Sequence, residues 1–221
     1  MAATPVGNTR SGLRWSGIAA IAFVVLFVVG FVLTTDTPDG NESNAVWRRY
    51  FLDSGHRTGM IVGAFAFALA GLAFLVFLSV LRERLRHAST GAEWVATLSF
   101  ASGIAFVAFL GVAALGLANI AADVEFGDSP VPRDASIMRS FESLGMGSML
   151  VFGMAAAGLL ILTTSIVAGR TALLPRWLVV TGYVVGVIVL VGGVLFFPVA
   201  LFLLWMLAVG IVMLTRSRAV V

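Results

Sequence analysis

The densest run of reactive side chains is Asp53-Ser54-Gly55-His56-Arg57-Thr58-Gly59. Asp53 and His56 stand at i, i+3, on one face of a helical turn, and Glu142 is a carboxylate that a second loop could bring to them. Such a trio suggests a metal ion. Catalytic zinc, however, takes three protein ligands, commonly several of them His. The chain has two His, His56 and His87, and no Cys. We therefore expect no metal site, no thiolate chemistry and no cofactor. The simpler role for these charges is mutual: Arg48, Arg49 and Arg57 against Asp123, Glu125, Asp128 and Glu142. Partly exposed pairs of this kind are worth about 0–1 kcal/mol each.

Ser54-Gly55-His56 resembles the Ser-Gly-His element that opens a membrane helix in the phosphatidic-acid-phosphatase type 2 family of lipid phosphatases. In that family the His of the element serves acid–base chemistry, a second His is the nucleophile, and Lys and Arg side chains hold the phosphate. The likeness covers three residues. Asp53 stands where the family has Pro, the chain has no Lys, and His87 falls on the opposite membrane side by the charge argument below. Nucleophilic catalysis needs all the parts. No catalytic residue is therefore expected, and a lipid phosphatase-like enzyme is the remote alternative. Ser54 and Gly55 then read as a turn, with Ser54 or Thr58 capping the helix that follows.

The elements that carry these residues are apolar. Of 221 residues, 60% are hydrophobic and 11% charged, with mean hydropathy +1.04. A soluble domain carries about 25% charged residues, so a water-soluble globule is excluded, as is a nucleic-acid binder at a net charge of +3. Runs long enough to cross a bilayer, about 20 residues, lie near 15–33, 59–81, 94–120 and 146–167. A fifth runs from Trp177 to Leu214; as one helix it would be about 57 Å long, nearly twice the hydrocarbon thickness. It is expected to fold back near Phe196–Pro198, giving spans near 177–196 and 198–214, with Pro198 in the first turn of the last helix. With six crossings, nine Arg and two acids fall on one side, and five Arg and nine acids on the other. That is +7 against −4. Arg-rich loops stay cytoplasmic, so both termini are expected there, in a bacterial inner membrane. The first run is expected to stay as an uncleaved anchor, since its apolar core exceeds that of a signal peptide.

Two longer connections, 34–58 and 121–145, are each expected to carry a short outer helix. Val46, Trp47, Tyr50 and Phe51 share a helical face, as do Ile137, Met138, Phe141 and Leu144, with Asp134 as N-cap. These helices either lie at the headgroup level or fold together as a lid. The outer-lid candidates are Trp47, Arg48, Arg49, Tyr50, Asp53, His56, Arg57, Phe141 and Glu142. Helix packing is expected at Gly59, Gly63, Gly103, Gly111, Gly182 and Gly186, because small residues let membrane helices approach closely. The six cores contain no ionisable group. Their polar candidates are Ser99, Asn119, Thr163, Thr164, Thr181 and Tyr183, which leave room for an uncharged or amphipathic ligand.

Leu173-Leu174-Pro175-Arg176-Trp177-Leu178, Gly182, Gly186, Leu204-Trp205 and the helix end Leu81-Arg82-Glu83-Arg84-Leu85-Arg86 together resemble small actinobacterial integral membrane proteins of unknown function. The resemblance implies a six-helix inner-membrane protein and supplies no activity. The expected fold is all-α: one membrane domain over 1–221, a six-helix bundle with two short outer interfacial helices. The first functional reading is a non-catalytic scaffold or partner-binding subunit. The alternative is a binder or transporter of an apolar or amphipathic small molecule. The bilayer is the expected partner, with a membrane protein or a second copy as further options.

Overall fold

The computed structural model describes residues 7–88, 93–171, 174–193 and 195–218; the side chains of Arg10, His87 and Arg218 lie outside the described set. The described residues form helices and connecting turns, without a strand. In chain order the helices are α1 (Gly7–Thr34), α2 (Asn44–Leu52), α3 (Ser54–Ala88), α4 (Glu93–Phe126), α5 (Ala135–Gly147), α6 (Met154–Thr171), α7 (Arg176–Val191) and α8 (Phe197–Arg218). A six-residue π segment, Ser148–Gly153, joins α5 to α6 without a break. Five helical stretches are long and apolar enough to cross a membrane: Ser11–Thr34, Ser54–Arg86, Glu93–Phe126, Ala135–Thr171 and Phe197–Ser217. This is the pattern of a multi-pass membrane protein. The sixth apolar helix, Arg176–Val191, has 16 residues, or about 24 Å of helix.

Two boundaries differ from the sequence reading. The fold-back in the last apolar stretch comes at Gly192, before Phe196–Pro198: the Gly192 N–H donates to the Ile188 carbonyl at 2.7 Å, ending α7. Pro198 then takes the second position of α8, where its missing N–H costs nothing. The helix expected near 135–144 is not separate from the span at 146–167. Gly145 packs closely on Ala113 and Leu117 of α4, and the chain runs on through a π turn, a usual way to bend a helix without breaking it.

The six long helices close a ring in the order α1, α3, α4, α6, α7, α8, with α8 returning to α1. Glycines set the crossings. A Cβ on Gly63 of α3 would stand 2.6 Å from Thr34 and 3.1 Å from the Gly30 carbonyl of α1. A Cβ on Gly17 of α1 would stand 2.8 Å from the Gly210 carbonyl of α8. Gly103 meets Leu78, while Gly182 and Gly186 of α7 meet Ser165 and Leu162 of α6, so that pair packs within the protomer. One expected contact fails: Gly111 has nothing within 4 Å, whereas Gly59 keeps an ordinary contact with the Leu33 carbonyl of α1 at 3.8 Å.

Phenylalanine fills the centre. Phe23 (α1), Phe74 (α3), Phe106 (α4) and Phe202 (α8) are fully buried and make all six mutual ring contacts, with centroids 4.9–6.4 Å apart. Tilted and edge-on geometries dominate, the arrangement aromatic quadrupoles favour.

Candidate functional site

Both α2 and α5 belong to connections at the same end of the ring, and they pack on each other there. Trp47, Tyr50 and Phe51 of α2 join Met60 of α3, Ile120 and Ala121 of α4, and Val131, Ala135 and Met138 in one buried cluster, with Phe141 against its edge. Trp47 is 0% exposed, and its Nε1–H donates to the Asp39 carbonyl at 3.1 Å. Trp47 is therefore a packing residue and no headgroup anchor. The buried stripe of α5 is Ala135, Met138 and Gly145, whereas Ile137 and Leu144 point outward. Asp134 caps α5, its Oδ1 accepting from the Ser136 N–H at 2.9 Å. That bond holds the Asp134 carboxyl below the usual carboxylate range.

Arg57 ties the end together. Its Nη1 donates to the Phe51 and Leu52 carbonyls at 2.9 and 3.0 Å, satisfying the C-terminus of α2, and its Nε donates to Glu125 Oε2 at 2.9 Å. The Arg57 side chain is 14% exposed and that of Glu125 38%. Arg57→Ala is expected to cost about 1 kcal/mol and to speed hydrogen exchange in α2 selectively. Arg57→Lys is not expected to rescue it, since one ammonium cannot reproduce the planar fork. Equal exchange in α2 of Arg57→Ala and wild type would refute the clamp. Of the other expected ion pairs, Arg48 and Arg49 are exposed and have no partner among the described residues.

The Asp53–Gly59 motif opens α3. Asp53 Oδ1 accepts from the Gly55 N–H at 2.7 Å, so Asp53, and neither Ser54 nor Thr58, caps the start of α3. His56 stacks on Tyr50 with ring centroids 4.3 Å apart, and its Nδ1 lies 4.0 Å from Asp53 Oδ2. Burial pushes the Tyr50 hydroxyl up to about 12, with Asp36 and Glu142 adding to the shift. It stays a neutral phenol at physiological pH. Among the described residues no three His, Cys, Asp or Glu side chains gather as a metal site.

The polar candidates divide. Ser99 and Thr164 share a 3.1 Å hydrogen bond between α4 and α6, and Thr163 donates to the Leu159 carbonyl of its own helix at 2.7 Å. Asn119, Thr181 and Tyr183 lie on the flank of the bundle, not inside it; Thr181 donates back to the Trp177 carbonyl at 2.9 Å. A helix that is apolar all round does not declare its inward face. Ser165 Oγ and Trp205 Nε1 are buried without a hydrogen-bond partner, both beside Gly182.

A cavity of about 620 Å³ lies under the same end of the bundle. Its wall is apolar: Phe27, Phe31, Val28, Met146, Val199 and Leu203. Its mouth is polar: Thr35, Thr37, Asp39 and Glu142. The Thr37 hydroxyl donates to Glu142 Oε1 at 2.8 Å, joining the 35–40 loop to α5 across the opening. Val28, Phe196 and Ala200 on its border are exposed, so the cavity also opens on the flank between α1 and α8. These two helices touch at Gly17 and Gly210, toward the far end, and part beside the loop. The sequence reading included Glu142 and missed the remaining lining residues. Matching of the chain to known protein families, curated proteins and solved structures finds no significant match.

Proposed function

We propose that the chain is a non-catalytic membrane protein that binds an amphipathic small molecule in the cavity between α1 and α8. The observation that carries this reading is the cavity itself: its volume falls in the range of ligand sites, about 300–1,000 Å³, with an apolar wall and a few convergent polar groups. Its flank opening suits a ligand that arrives from the bilayer. Ala200→Trp would fill the cavity from its border without touching the Phe-filled centre. Mass spectrometry of the purified protein is expected to find an amphiphile in wild type and to lose it in Ala200→Trp. A ligand retained equally by both would exclude this cavity.

The reading includes six crossings of a bacterial inner membrane with both termini cytoplasmic, and α2 and α5 on the outer face. The closed six-helix ring and the Arg asymmetry support it. The 16 residues of α7 are short for about 30 Å of hydrocarbon, a mismatch that local thinning accommodates at modest cost. A C-terminal fluorescent protein that matures only in the cytoplasm is expected to fluoresce, and a C-terminal alkaline phosphatase to be inactive. The reverse pair would overturn the six-span count. A scaffold or partner-binding subunit is the second reading, favoured by the Phe-filled centre, which is packing and not a path.

A further inference from the structure

We infer that the cavity between α1 and α8 selects an amphiphile with a cationic head, an ammonium group above an apolar tail. This rests on the reading of the cavity as a ligand site and adds the chemistry of its head. The charged side chains lining the mouth are two carboxylates, Asp39 and Glu142. Glu142 Oε1 accepts the Thr37 hydroxyl, which fixes that carboxylate at the opening, and its second oxygen has no protein partner among the described residues. Arg139, one turn earlier on α5, makes no ion pair with it: its guanidinium donates to the Glu42 carbonyl and lies 5.9 Å from the Trp47 ring.

Below the carboxylates the wall turns aromatic. Phe31 packs edge-on against Phe196 and parallel to Phe27, with centroids 6.4 Å apart in each pair. Ring faces attract a cation within about 6 Å, more strongly when it is desolvated. An ammonium head would thus meet carboxylates above and rings beneath, while its tail followed Val28, Val199 and Leu203 toward the narrowing between the helices. A head of net negative charge, such as a sulfate, a carboxylate or a phosphate without an ammonium, would meet like charge at the mouth and is disfavoured.

The test uses the full-length protein in lipid nanodiscs, with binding to empty discs subtracted. Three probes share one tail: dodecyltrimethylammonium, dodecyl maltoside and dodecyl sulfate. Dodecyltrimethylammonium is expected to bind saturably and about tenfold or more tighter than dodecyl sulfate, the preference shrinking as salt rises. Asp39→Asn with Glu142→Gln is expected to remove that preference, and an unchanged far-UV circular dichroism spectrum reports an intact fold. Ala200→Trp is expected to weaken all three. Equal binding of the three probes, with loss in Ala200→Trp, would overturn the cationic head and leave the cavity as the site. Binding that Ala200→Trp does not alter would overturn both. Competition by lysophosphatidylethanolamine as strong as that by dodecyltrimethylammonium would assign the ammonium to a membrane lipid; competition by dodecyltrimethylammonium alone would assign it to a free amphiphilic amine. Either result upholds cation recognition.

Discussion

Replacing Gly116 with Ala is expected to destabilise the protein by about 2–3 kcal/mol, while the same change five residues earlier, Gly111→Ala, stabilises it by about 0.5 kcal/mol. Both glycines lie in α4 and both changes add one methyl group. At Gly116 the new Cβ would stand 2.7 Å from Gly145 Cα, 2.8 Å from Gly145 N and 3.0 Å from the Phe141 carbonyl. All three are backbone atoms, so α5 as a whole must move. Gly145 faces the same constraint in reverse, with the Ala113 carbonyl and the Leu117 N–H each 3.0 Å from its would-be Cβ. At Gly111 the methyl meets nothing within 4 Å and gains the entropy advantage of Ala in a helix. Reversible unfolding in mixed micelles measures both. Because α5 carries Glu142 and Met146 to the cavity, Gly116→Ala should also weaken amphiphile binding while Gly111→Ala should not. Equal stabilities for the two variants would refute the backbone crossing of α4 and α5.

What the sequence made legible follows from where water is. Water touches the short connections, so polarity there reports structure. Asp134 was readable as a cap because an Asx side chain before an amphipathic helix has a free N–H to bind, and it accepts from Ser136. Trp47, Tyr50 and Phe51 were readable as one face because Arg48 and Arg49 occupy the other. Within the long helices the same logic fails. Lipid and protein interior are both apolar, so α4 offers no polar side to orient it. Gly111 was expected at a contact and Gly116 was not, yet the structure has them the other way round. The sequence points Asn119, Thr181 and Tyr183 inward, because polar groups usually avoid lipid. Thr181 instead bonds to its own helix, and Asn119 and Tyr183 lie on the flank. The cavity was invisible for a different reason. Its lining comes from α1, the 35–40 loop, α5 and α8, segments far apart in sequence that only the closure of the ring brings together.

That closure is centred on the four phenylalanines, and truncating any of them is expected to destabilise the bundle interior. Phe23→Ala or Phe74→Ala would each remove about 100 Å³ of side chain. At about 24 cal/mol per Å³ of cavity, each costs about 2 kcal/mol. The transfer part of the usual cost is small here, because an unfolded span would leave its Phe in lipid; what is lost is contact between tightly packed atoms. The Phe23 and Phe74 centroids are 4.9 Å apart, and each ring also touches Phe106 and Phe202. The second truncation therefore removes contacts the first has already broken. The double variant is expected to cost about 1 kcal/mol less than the sum of the two singles, a coupling that a double-mutant cycle resolves. The same variants separate packing from passage. A cavity lined by Phe and Ala stays dry, so liposomes holding Phe74→Ala should release trapped dye no faster than those holding wild type. If the four rings instead gated a path, truncation would cost little stability and raise the leak. Additive, inexpensive truncations with faster dye release would show that the centre of the ring is a gate, and would remove the basis for treating the bundle as a solid frame around its end cavity.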